Sequence, residues 1–323
     1  MKISEAKYQR LENLSTAGHI IAALAIDQRD SMEKMMPTLK GEERTETIKS
    51  YKSEVSRRLT QYASSILLDP IYGLEASKLR HEGRGLLLSY EISGYEDSDR
   101  SLRLLDHWSV KRLIDEGADA AKILLYYDVD DNDENNDKKK AVVERIGAEC
   151  RALDLPFFLE IITYDRNIED SKSLEFAKRK PHKVLEAMKE FSKEEYMVDV
   201  LKMEVPVNMN YVEGYGKISC YSKDQAKEYF LKQSKITNLP YIFLSAGVSM
   251  SLFMETLRLA KEAGAEFHGV LCGRATWKGG VDEYIKSRQA GIDWLESQGK
   301  ENIQALNEVI EETSTSWIGR LEK

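Results

Sequence analysis

The chain has only three cysteines in 323 residues, Cys150, Cys220 and Cys272, an odd number at wide spacing. A disulfide framework and the paired spacing of a zinc motif are therefore not expected, and the three thiols read as reduced and structural. The five histidines (His19, His81, His107, His182, His268) never form HxH or HExxH, so no catalytic metal is expected. Positive charge is in deficit: 47 Lys and Arg stand against 55 Asp and Glu, a formal net charge of −8. Nucleic acid and anionic membranes demand a concentrated basic surface, so neither is an expected partner, and any bound phosphate should be small and locally held. Long hydrophobic runs are also missing. Stretches such as Ile20 to Ile26 fall far short of the roughly 20 residues that span a bilayer, and Met1 to Ala17 lacks the apolar core of a secretory signal. A cytoplasmic location is the resulting expectation. No GxGxxG follows the first apolar run, which weakens a dinucleotide-binding reading, and no cofactor is expected.

What is present suits a folded chain with ample core: 42% hydrophobic and 32% charged residues. Short apolar runs bounded by Gly, Pro or acidic residues predict strands at Ile20 to Ile26, Ser65 to Leu68, Gly85 to Tyr90, Ala121 to Tyr126, Phe157 to Ile162, Val200 to Val207, Tyr241 to Leu244 and Gly269 to Leu271. Between them, helical periodicity covers Glu43 to Tyr62, Val110 to Glu116, Asp137 to Leu153, Ser173 to Phe191, Asp224 to Ser234, Met250 to Ala263 and Val281 to Leu306. Gly117 and Gly264 follow helical stretches, where a left-handed C-cap is favoured. Strands alternating with helices imply parallel pairing, and continuous apolar runs are what doubly buried parallel strands require. Eight such units favour an α/β fold of the (β/α)8 TIM-barrel type, in a single domain over 1–323 with additional terminal helices, and a doubly wound open sheet is the alternative. The acidic run Asp128 to Asp137, followed by Lys138 to Lys140, reads as a solvated loop and helix start.

The informative residues are charges inside apolar strands, because Lys, Glu and Asp are rarely buried unless paired or employed. AAKILLYY carries Lys122, FFLEII carries Glu160, and VLKMEVPV carries Lys202 and Glu204, two residues apart and so on one face of a strand. Desolvation and a second cation such as Lys122 nearby enlarge the neutral, nucleophilic fraction of a strand amine, as imine formation with a ketone requires. Glu160 has the chemistry to protonate a carbinolamine oxygen. A buried Lys-Glu ion pair that only fills a barrel is the competing reading. At the end of the first strand Asp27, Gln28 and Arg29 can meet substrate hydroxyls or merely cap the loop. After the seventh and eighth strands come Ser245-Ala246-Gly247 and, beyond Leu271, Cys272-Gly273-Arg274. Glycine N–H groups, a serine hydroxyl and a forked guanidinium suit a phosphate, and these loops are the usual phosphate site of such a barrel; ordinary turns are the alternative.

Taken in order, ALAIDQR, YASSILLDPIYGL, AKILLYYDVD, RIGAEC, PFFLEI, VLKMEVPVN, YVEGY, NLPYIFLSAGVS and GVLCGRATW make the chain resemble the tagatose 1,6-bisphosphate aldolase family across nearly its whole length. The resemblance implies a class I, metal-independent lyase that cleaves a phosphorylated ketose in lactose and galactose breakdown. It implies Lys202 as the imine-forming lysine and Glu160 as the acid-base carboxylate. By the same correspondence Asp27, Gln28 and Lys122 contact substrate, and Ser245, Leu271 and Arg274 surround a phosphate, with Gly247 and Gly273 in the same loops. A homodimer is the family-level expectation. Related activities also fit: an aldolase for a sulfonated sugar phosphate, or a metabolite-sensing protein on an aldolase scaffold.

Overall fold

The computed structural model describes residues 2–93 and 99–322. Its strands are β1 (Ile21–Ala25), β2 (Ser65–Leu68), β3 (Gly85–Ser89), β4 (Ala120–Tyr127), β5 (Phe157–Thr163), β6 (Val200–Met203), β7 (Tyr241–Phe243) and β8 (Gly269–Cys272). They pair in parallel in chain order, and β8 returns to β1 through the register Ile21↔Gly269 to Leu24↔Cys272. This closure makes the molecule a (β/α)8 barrel and removes the open-sheet alternative.

All eight expected strands form, and β6 is the one that departs clearly from its expected length. The apolar run continues to Val207, but pairing with β7 ends at Met203↔Phe243. Pro206 lacks an N–H for the ladder, and Glu204 is drawn aside by partners described below.

The helices are α1 (Glu5–Asn13), α2 (Asp30–Met35), α3 (Gly41–Leu59), α4 (Leu74–Lys78), α5 (Val110–Asp115), α6 (Asp133–Ala152) and α7 (Leu174–Phe191). The second half supplies α8 (Lys223–Ile236), α9 (Met250–Glu262), α10 (Arg274–Trp277), α11 (Gly279–Lys286), α12 (Arg288–Trp294) and α13 (Lys300–Thr313). Gly117 and Gly264 do adopt left-handed backbone after α5 and α9, with φ of 86° and 75°. The stretch expected as one helix from Val281 to Leu306 is broken: Ser287 is extended and caps α12, and a π-turn at Leu295–Gly299 joins α12 to α13.

Strand side chains alternate between two apolar layers. Ala22, Leu24, Ile66, Leu68 and Leu159 face the surrounding helices. Ala23, Ala25, Leu67, Leu87, Ala120, Phe158, Val200, Ile242 and Leu271 fill the barrel interior, joined at its floor by Leu11 and Leu14 and by Trp317. There Lys7 donates to Asp199 at 2.6 Å, so α1 closes the N-terminal end with a buried ion pair as well as apolar contact.

The acidic run is less solvated than expected. Asp128 is 2% exposed, because the loops after β4 and β5 converge on Lys183 of α7. That ammonium pairs with Asp128, with Asp130 at 2.8 Å and with Asp165 at 3.1 Å. The helix begins four residues before the expected Asp137, within the acidic run, because Asn132 caps α6 by accepting from Asn135 N.

Candidate active site

The inward face of each strand recurs every second residue, and this parity locates the site. Moving two residues toward the C-terminal end from the apolar interior residues gives Lys122 from Ala120, Glu160 from Phe158, Lys202 from Val200, Asp27 from Ala25 and Gly273 from Leu271. Glu160 and Lys202 are direct partners in the β5–β6 register. The polar residues thus form a layer above the apolar core, where the active sites of such barrels lie.

Lys202 Nζ lies 2.8 Å from Glu160 Oε1. Lys122 Nζ reaches Glu160 Oε2 at 2.8 Å and Asp27 Oδ2 and Glu91 Oε1 at 2.9 Å each. Lys202, Glu160 and Lys122 are 5%, 6% and 1% exposed, so this is a nearly dry cluster of alternating charge. Burial pushes the Glu160 and Asp27 carboxyls up, but the ammonium groups of Lys122 and Lys202 outweigh it and hold both below the usual carboxylate range. Burial opposes the charge on Lys122 too, and Asp27, Glu160 and Glu91 override it, raising this amine well above its ordinary value. Lys122 therefore does not face Lys202 as a bare cation, contrary to the sequence expectation. Its ammonium protons are already committed to carboxylates.

Above the cluster opens a cavity of 1090 Å³. Small-molecule pockets are typically about 300–1,000 Å³, so this cavity stands at the upper end of that size class. Asp27, Gln28, Lys122, Glu160, Lys202, Ser245, Gly247, Leu271, Gly273 and Arg274 line it together, as do Arg29 and Glu204.

Loops 7 and 8 meet as expected at one rim. Gly247 has φ 74°, and a Cβ there would stand 3.2 Å from Arg274 Nη2, so the guanidinium lies directly over the glycine backbone. At Gly273 a Cβ would meet Ala25 O at 2.8 Å, and this close approach brings Arg274 to the end of β1. Trp277 Nε1 donates to the same carbonyl at 2.8 Å and fixes α10. Ser245 is buried beside Cys272, whose thiol burial pushes up to about 11. A cysteine with that surrounding is inert packing between the loops.

Two features escaped the sequence reading. Glu204 does not share the Lys202 centre: its carboxylate accepts from Lys180 at 3.0 Å and from the N–H and hydroxyl of Thr163 at 2.7 Å each. It ties β6 to β5 and α7. Glu91 was not singled out, although it directly follows the third apolar run, as Asp27 follows the first. It is 3% exposed, lines the cavity and is held by Lys122, while Arg29 Nη1 donates to its carbonyl at 2.7 Å.

The model of the DeoC/LacD family of aldolases matches residues 21–279. Among curated relatives, tagatose 1,6-diphosphate aldolase 2 of Enterococcus faecalis is 54% identical, with 100% of this chain and 98% of the relative covered. The tagatose 1,6-diphosphate aldolase of Staphylococcus haemolyticus is 55% identical over 98% of this chain and 99% of that one. Among solved structures, a fructose-bisphosphate aldolase from Plasmodium falciparum superposes with a TM-score of 0.68 at 16% identity, covering 100% of this chain and 98% of its own. A Schiff-base-forming fructose 1,6-bisphosphate aldolase gives a TM-score of 0.58 at 13% identity, over 94% and 99%. At such identities the structures support the fold, and the family model and the curated relatives go further. The chain belongs to the DeoC/LacD family of aldolases.

Proposed function

We propose that this aldolase reversibly cleaves D-tagatose 1,6-bisphosphate to dihydroxyacetone phosphate and D-glyceraldehyde 3-phosphate through an imine on Lys202, within one domain spanning the chain. The carrying observation is the buried contact of 2.8 Å between Lys202 Nζ and Glu160 Oε1 at the base of the cavity. The sugar is inferred from relatives of that name at 53–55% identity over nearly full length.

The Lys202 ammonium passes a proton to Glu160, and the neutral amine adds to the ketone at carbon 2. Glu160 returns that proton to the carbinolamine oxygen, which leaves as water. The resulting protonated imine accepts the electron pair as the bond between carbons 3 and 4 breaks. Gly247, Ser245 and Arg274 hold the phosphate on carbon 1, contributing orientation more than bond making. Asp27 and Gln28 meet hydroxyls, and Lys122 acts by holding the carboxylates in place.

Borohydride reduction of the protein with D-tagatose 1,6-bisphosphate in excess chelator, followed by peptide mass spectrometry, is expected to place a covalent adduct on Lys202. Lys202→Met is expected to abolish turnover with the circular dichroism spectrum retained. An adduct on Lys122, or normal turnover by Lys202→Met, would overturn the assignment.

A further inference from the structure

Resting on that reading, we propose that Lys34 sets the preference of the reaction for a phosphorylated aldehyde by pairing with the phosphate on carbon 6. Among the described residues, seven Lys and Arg side chains line the cavity, and carboxylates already hold four of them. Lys202 and Lys122 share Glu160, Lys180 pairs with Glu204 at 3.0 Å, and Arg29 lies 3.8 Å from Glu91. Lys34, Lys172 and Arg274 have no carboxylate partner among the described residues. A cation whose charge is not already spent on a carboxylate gains most from meeting a phosphate. Arg274 serves the phosphate on carbon 1, which leaves Lys34 and Lys172 for the other end.

Barrel topology decides between these two. In a closed ring of eight strands β1 stands opposite β5, so Lys34, on α2 after β1, and Lys172, in the loop after β5, belong to opposite sides of the mouth. Asp27 and Gln28 at the end of β1 meet the substrate hydroxyls, so the carbons beyond the imine run toward β1, where Lys34 comes next. α2 is also drawn away from the first phosphate. Its Asp30 accepts from Ser93 in the loop after β3, and its Glu33 accepts from Tyr72 in the loop after β2 at 2.8 Å. These bonds tie the helix toward β2 and β3, and β3 is the strand opposite β7, whose loop carries Ser245 and Gly247.

The same bonds leave the charge of Lys34 uncompensated. Glu33 is its neighbour in sequence, but that carboxylate is taken by Tyr72 and by Arg44 at 3.1 Å, and Asp30 is taken by Ser93. Lys34 lines the cavity while exposed to solvent, so its flexible stem reaches a phosphate at the rim without first breaking an ion pair. Carbon 6 takes no part in bond breaking, and its phosphate is the same in the bound aldehyde and in the transition state. Lys34 therefore supplies uniform binding, whose loss is read in KM and not in kcat.

The test runs the condensation of dihydroxyacetone phosphate with D-glyceraldehyde 3-phosphate, and with D-glyceraldehyde, which lacks the second phosphate. Lys34→Met, Lys34→Arg and Lys172→Met are compared with the native protein. Lys34→Met is expected to raise KM for D-glyceraldehyde 3-phosphate about 10-fold or more, with kcat and the reaction of D-glyceraldehyde changed far less. Lys34→Arg is expected to recover most of the loss, and Lys172→Met to keep the native preference between the two aldehydes. A native preference retained by Lys34→Met would overturn the proposal, as would an equal loss with both aldehydes. A selective loss in Lys172→Met would overturn it too, by moving the phosphate to the β5 side. Failure of the native protein to condense dihydroxyacetone phosphate with D-glyceraldehyde 3-phosphate, or to trap dihydroxyacetone phosphate on Lys202 with borohydride, would instead overturn the aldolase reading, and this proposal with it.

Discussion

Lys122 is the residue on which the charge balance of the site turns. One ammonium, 1% exposed, serves Asp27, Glu91 and Glu160, so removing it leaves three carboxylates facing one another in a nearly dry enclosure. Breaking a buried pair by deleting one partner typically costs about 3–5 kcal/mol, and Lys122→Met is expected to lose stability on that scale. The pH dependence has a definite sign. Asp27 and Glu160 are held below their ordinary values, so their stabilisation is complete above the unfolded carboxylate range near pH 4 and fades as pH falls below it. Without Lys122 that depression is weakened and acid unfolding begins at higher pH. Urea unfolding at pH 7 and pH 4 measures both effects; an unchanged acid profile in Lys122→Met would contradict this role.

Among the elements, α6 shows how a helix can require a residue that its propensity disfavours. Gly147 sits within its 20 residues, and glycine ordinarily costs a helix about 1 kcal/mol relative to alanine. Here a Cβ would approach Tyr196 O to 2.1 Å and its carbonyl carbon to 3.0 Å, both backbone atoms of the turn leading into β6. Gly147→Ala therefore forces backbone apart, and overpacking of about 1–3 kcal/mol exceeds the propensity gain. Its thermal midpoint is expected to fall; a rise would mean that the turn yields freely. The loops after β4 and β5 are held differently. Lys183 of α7 gathers Asp128, Asp130 and Asp165, whereas Tyr211 OH, in the loop after β6, donates to Lys172 O at 2.9 Å in the loop after β5.

For the whole molecule, the barrel places its chemistry at one end and its apolar closure at the other. Its C-terminal mouth holds the cavity, and its floor is sealed by α1 and by Trp317 from the far end of the chain. Chain ends clasp beside it through the bridge Lys2↔Glu322. Leu11, 1% exposed, packs into the interior layer, and Leu11→Ala is expected to cost about 2–5 kcal/mol with kcat preserved wherever the fold is intact. Thermal unfolding and steady-state kinetics on one preparation check the separation; a loss of kcat without loss of stability would refute it. No helix among the described residues is long and apolar enough to cross a membrane.

The sequence by itself determined the strand count, the parallel order and the parity that turns Lys122, Glu160 and Lys202 inward. These follow from local apolar runs and a two-residue period, which need no knowledge of distant partners. Gly247, Gly273, Ser245 and Arg274 were readable for the same reason, as small and basic residues directly after strands. Tertiary structure alone decided which charges meet. Lys7 and Asp199 are 192 positions apart, and Lys122 and Glu91 are 31 apart, so their contacts exist only once the ring has closed. Glu204 shares the inward parity of Lys202, yet it was taken out of the centre by Lys180 and Thr163. Periodicity assigns a side chain to a face, but the final position of a buried charge is set by the opposite charges that the fold brings within about 3 Å of it, since desolvation must be offset there.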